Sequence, residues 1–159
     1  AAATGPGGVG RRVPMAMLPF IGYNAGDYMN HWLEIGKQAD AAKLPRIYQV
    51  NWFRRDKEDG SFLWPGFGDN ARVLKWIIER LDGTAEAIDT PVGLIPAPEA
   101  IDITGLDMSV EQVAKALEVD PQEWQAEVAL IDDWFAKIGD TMPSQLKDEL
   151  ATLKAHLDA

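Results

Sequence analysis

Helices laid over a few short strands, a mixed α/β (α+β) architecture, is the fold class this sequence predicts. Three observations lead there. Apolar residues recur at helical spacing in five separate segments, most with a readable start or stop. β-branched and aromatic residues cluster just after Pro45. Three prolines divide residues 91–103 into short extended pieces.

Taken in order, residues 1–10, "AAATGPGGVG", carry four glycines and a proline, a composition that costs much backbone entropy to order and predicts a loop. A flexible end and a phosphate cradle both fit, although no Gly-Lys-Ser/Thr follows. Over 25–38, Tyr28, Trp32 and Ile35 with Met29 and Leu33 predict an amphipathic helix, on which His31 reads as a surface or satisfied histidine. "RIYQVNWF", 46–53, predicts a strand, and "RRDKEDG", 54–60, a solvated charged turn. "ARVLKWIIERL" predicts a helix capped by Asp69 or Asn70 and stopped at Gly83.

Ser109 with Gln112 forms a capping box, and Asp120-Pro121 with Glu123 opens a further helix. Pro143 opens the last. Trp124, Val128, Ile131 and Phe135 in one helix and Leu146, Leu150, Leu153 and Leu157 in the next form apolar stripes that read as packing faces. No repeat or long linker divides the 159 residues, which predicts one unit over 1–159 with a helical layer at 109–158.

A hydrophobic fraction of 47% agrees with a globular core, and no window reaches the roughly 18 apolar residues of a membrane span. The start lacks the basic and apolar regions of a signal peptide, so the expected location is the cytoplasm. Without cysteine there are no disulfides or thiolate metal sites, and His31 and His156 are too few for a zinc cluster. The net charge of −10 argues against nucleic acid as a partner. Residues 1–80 hold 11 basic against 8 acidic side chains and 81–159 hold 4 against 17, so an anionic ligand would face the first half.

No nucleophile elbow, Walker loop or His-containing metal motif is present, so the residues alone do not predict complete catalysis. The stretch "FLWPGFGDN", 62–70, is unusual in setting rings among chain breakers. Phe53, Phe62 and Phe67 either close one end of the core or stack on a flat heterocycle. Gly66 and Gly68 permit close backbone approach, Asn70 offers a donor and an acceptor, and Trp64 reads mainly as packing.

Three runs carry a resemblance: "PMAMLPFIGYNAGDYMNHW", "KLPRIYQVNWFRRDKEDGSFLWPGFGDNARVLKWIIERLDG" and "PVGLIPAPEAIDITGLD". They are similar to the C-terminal part of the nucleotide-binding domain of GTP-dependent phosphoenolpyruvate carboxykinases. The resemblance implies an enzyme that converts oxaloacetate and GTP to phosphoenolpyruvate, GDP and CO2, using manganese and a nucleotide-bound magnesium. It implies a guanine pocket within 46–81 made by Phe53, Phe62, Phe67, Gly68, Asp69 and Asn70, with Asn70 reading the base edge. It places Phe20 beside the carboxylate substrate, and makes the 1–10 loop, with Ala1, Ala2, Ala3, Thr4, Gly5, Pro6, Gly7 and Gly8, a mobile lid that excludes water on closure. The family's phosphate loop, metal ligands and substrate arginines precede the lid, so no catalytic residue and no metal ligand is assigned to this chain, which alone is expected to be inactive. The parent enzyme is expected to be monomeric. The other reading is a noncatalytic nucleotide-binding or interaction module, and a tryptophan-lined sugar site is a third.

Overall fold

Asn24 opens the first helix by a local bond: its Oδ1 accepts the Gly26 N–H at 2.7 Å, and α1 then spans Ala25–Gln38. A computed structural model describes residues 20–158 and divides the chain into two units, Ala1–Leu44 with Pro121–Ala159, and Pro45–Asp120. Within the first, Tyr28 and Trp32 meet four residues apart at 5.5 Å, and His31 is exposed, both as the spacing predicts. Two further helices complete it. The predicted stripes face inward or sit half-buried, with Leu150 buried, and Lys154 bonds both Asp132 oxygens at 2.9 and 2.7 Å. Those helices are Pro121–Ile138 and Ser144–Leu157, joined through a 3-10 turn at Gly139–Thr141.

The same turn explains Gly26. Thr141 donates its hydroxyl to Asn24 Oδ1 at 2.7 Å, and a Cβ at position 26 would lie 2.3 Å from the Thr141 carbonyl oxygen. Gly26→Ala gains helix propensity of up to ~1 kcal/mol but forces backbone apart, at about 1–3 kcal/mol. The expected result is a lower melting temperature; a rise would mean that the helix start moves freely off Thr141.

In the second unit, Trp64, Trp76, Ile101 and Val113 form the buried centre. Trp76 lies on α2, Asn70–Leu81, which ends as predicted before Gly83 at φ 72°. A two-stranded antiparallel hairpin follows, β1 at Ile88–Thr90 and β2 at Gly93–Ile95, with Ile88 opposite Ile95. Of the two, β2 is a short extended piece inside 91–103, as the prolines allow, while β1 precedes Pro91. Helix α3, Val110–Leu117, begins with both bonds of the predicted Ser109–Gln112 capping box and buries Val113. The two long helices of the first unit are α4 and α5 in chain order.

Four expectations are corrected. Residues 46–53 form no strand: 46–50 are all exposed, Ile47 to 88%, and join no strand pair among the described residues. β propensity reports packing on a pleated, partnered surface, and this stretch has no ladder to join. The 54–60 turn is not a free solvated tip, because its charges are tied down. Lys115 bonds Asp56 at 2.6 Å, Lys57 pairs with Asp120, and Arg54 donates to the Ala116 and Glu118 carbonyls at 3.0 and 2.6 Å. Asp69 stands at the N-cap of α2 but makes no capping bond, its carboxylate being taken by Arg72. The stretch 109–158 is divided, α3 belonging to the second unit and α4 and α5 to the first.

Candidate functional site

The charged turn brings two of the predicted rings together. Asp56 receives the Glu58 N–H and Asp59 the Ser61 N–H, Gly60 takes φ 73°, and the chain reverses. Arg55 and Phe62 then form an antiparallel bridge, flanked by bonds from Leu63 N–H to Arg54 and from Asp56 N–H to Ser61. The side-chain bond from Lys115, with the Glu58 backbone N–H, holds the Asp56 carboxyl below its ordinary pKa, and the same pair raises Lys115. The turn is therefore charged on both sides at neutral pH.

Phe53 and Phe62 flank this turn, nine positions apart in sequence, with ring centres 6.2 Å apart and planes at 62°. Phe53 is set by the Asn51 side chain, which accepts its N–H at 3.1 Å. Phe62 carries the Arg55 guanidinium 3.9 Å above its ring. Both rings stay more than half exposed, so they do not close a core.

Phe67 is presented differently. It follows Gly66 at φ 78° and itself adopts φ 51°, a left-handed conformation unusual for a bulky residue, and it is 99% exposed. No burial compensates that strain, which is of order 1–3 kcal/mol. It sits in a 3-10 turn, Phe67–Asp69, leading straight into α2. Phe67 joins no ring pair among the described residues.

Asn70 begins α2 half-buried, and its Oδ1 accepts the Trp64 indole N–H at 2.9 Å. Behind it, Arg72 binds Asp69 through Nε at 3.0 Å and the Asp102 and Thr104 carbonyls at 2.6 and 3.1 Å. The Asp102 carboxyl is lowered to about 2, first by the Thr104 backbone N–H and then by Lys75. Thus Phe53, Phe62, Phe67, Gly68, Asp69 and Asn70 all lie on one unit, as one bridged turn and one helix entry. Phe20 belongs to the other unit and is 85% exposed. The predicted lid residues, Ala1 to Gly8, lie outside the described residues.

Sequence reasoning missed two supports. Arg72 was legible in principle, standing three residues beyond Asp69 on a predicted helix. Trp64 was not, because only the fold across Pro65 and Gly66 turns its N–H onto Asn70. At 8% exposure its ring offers no platform to a sugar, which removes Trp64 from that reading. No three His, Asp or Glu side chains converge among the described residues, and no described helix is long and apolar enough to cross a membrane.

Comparison with known proteins places the chain in a family. The model of the phosphoenolpyruvate carboxykinase C-terminal P-loop domain matches residues 1–156. A protein named phosphoenolpyruvate carboxykinase (GTP) from Paenarthrobacter aurescens (strain TC1) is 57% identical over 157 residues, covering 99% of this chain and 26% of that protein. Its counterpart from Corynebacterium jeikeium (strain K411) is 48% identical over 159 residues, covering all of this chain and 26% of the relative. The chain thus spans about a quarter of the length of these curated relatives. Matched by the family model along nearly its whole length, it belongs to the phosphoenolpyruvate carboxykinase C-terminal P-loop domain family.

Proposed function

We propose that the protein containing this chain is a GTP-dependent phosphoenolpyruvate carboxykinase, a cytoplasmic monomer, and that the chain supplies its guanine pocket and its lid. The reaction takes oxaloacetate and GTP to phosphoenolpyruvate, GDP and CO2. The relatives' names support the activity. The observation that carries the pocket is Phe67, held at φ 51° with its ring wholly exposed, three residues before Asn70.

A ring displayed at a conformational cost gains by stacking on a flat ligand, and Phe53 and Phe62 offer a second aromatic surface. Gly68 adds no side chain beside the ring, and Asp69 is engaged with Arg72, so it steadies the helix entry and leaves the base edge to Asn70. Residues 1–10 serve as the lid and Phe20 borders the carboxylate substrate. Manganese and magnesium are held by residues outside this chain, and they supply charge neutralisation at phosphate and enolate oxygens when bound. The steps that belong to this chain are base recognition, orientation of the nucleotide and exclusion of water.

The test is Phe67→Ala in the full-length protein, read by titration calorimetry with GDP and GTP. Loss of one stacking face, ~1–3 kcal/mol, weakens both nucleotides about 5- to 150-fold. Affinity equal to wild type would remove Phe67, and with it the pocket as drawn.

A further inference from the structure

We infer that Trp64 determines which base the pocket accepts, by fixing the orientation of the Asn70 amide without touching the ligand. The inference rests on the guanine-pocket reading and names a positioning residue for it.

The indole nitrogen of Trp64 carries a hydrogen and no available lone pair, so it only donates. Its partner is Asn70 Oδ1 at 2.9 Å. Rotating the amide by half a turn would bring Nδ2, a second donor, against the indole N–H, leaving two donors opposed in a half-buried place. The indole cannot yield by swinging away, since its ring is packed with Trp76, Ile101 and Val113. Nor can the Asn70 backbone, which lies in the first turn of α2 at φ −58°, ψ −27°, while Arg72 ties that turn to Asp102 and Thr104. Core packing therefore selects one amide rotamer.

The consequence is chemical. With Oδ1 held against the Trp64 indole, Nδ2 is the amide's donor left for a ligand, and no described residue accepts from it. Nδ2 donates well to a purine carrying an oxygen at position 6, as guanine does, and opposes one carrying an amino group there, as adenine does. Asparagine by itself suits either base, because it can turn. Trp64 removes the choice, so discrimination at position 6 is set by a residue one layer behind the base.

The experiment uses the full-length protein with Trp64 replaced by 3-benzothienylalanine, which keeps the fused ring and puts sulfur where the N–H was, and separately Trp64→Phe. Calorimetry measures GDP, IDP and ADP. The expected result is a fall of about tenfold in the GDP-to-ADP affinity ratio, the loss of one oriented hydrogen bond, with IDP falling by the same factor as GDP because it shares the 6-oxygen. A merely structural role would lower all three together and leave the ratio unchanged, and that outcome overturns the inference. If Trp64→Phe does not fold, the benzothienyl variant decides. Wild-type protein that fails to prefer GDP over ADP sinks the guanine reading itself, and this inference with it; wild-type preference with an unmoved ratio in the variant sinks the inference alone.

Discussion

Asn70→Asp in the full-length protein is expected to reverse base preference, weakening GDP by about 100- to 1,000-fold while improving ADP. The carboxylate still accepts the Trp64 indole N–H, now at 2.9 Å from Asn70 Oδ1, so the packing behind it is retained. Its second oxygen takes the place of Nδ2 and meets the guanine 6-oxygen, acceptor against acceptor, with a negative charge added. Adenine instead offers an N–H to that oxygen. The substitution should not unfold the protein, because an acidic residue in the first turn of α2 interacts favourably with the helix dipole. Competition titrations with GDP and ADP, together with a melting curve, check both halves. GDP still preferred by the wild-type margin would mean that Asn70 does not face the base.

Trp76→Ala carries the largest expected loss of stability, about 3–5 kcal/mol. Trp76 is 4% exposed and joins Trp64, Ile101 and Val113 in the centre of its unit, with Tyr48 edge-on at 6.4 Å. Removing it leaves a void the size of an indole beside Trp64, so the support of Asn70 loosens with the core. Trp76→Phe should cost much less. Among the described residues the Trp76 Nε1 has no hydrogen-bond partner, and deleting an unpaired buried donor recovers part of the lost packing. Hydrogen exchange over residues 64–117 reads both variants. Equal exchange in Trp76→Ala and wild type would show that this cluster does not hold the unit together.

Much of the fold was legible in the sequence because its signals are local. The Ser109–Gln112 box, Asn70–Leu81 with Gly83 beyond it, and Pro143 before Ser144–Leu157 depend on residues within one or two turns of each other. The predicted strand at 46–53 failed for the opposite reason. A run of β-formers is only a candidate strand, and no described segment lies alongside to accept its hydrogen bonds. The charged turn failed likewise, since Lys115 and Asp120 stand some sixty residues from their partners Asp56 and Lys57 and no spacing rule connects them.

The sequence by itself determined the helices, which follow from residue type and short spacing, and it carried the family resemblance that assigns Phe53, Phe62, Phe67 and Asn70 to a base pocket. Tertiary structure decided how those residues are held. It brought Phe53 and Phe62 together across a bridged turn and left Phe67 outward at φ 51°. It also turned the indole of Trp64 onto Asn70. Orientation of an amide or a ring depends on which atoms of distant segments fill the space around it, and a linear pattern of residue types does not contain that packing.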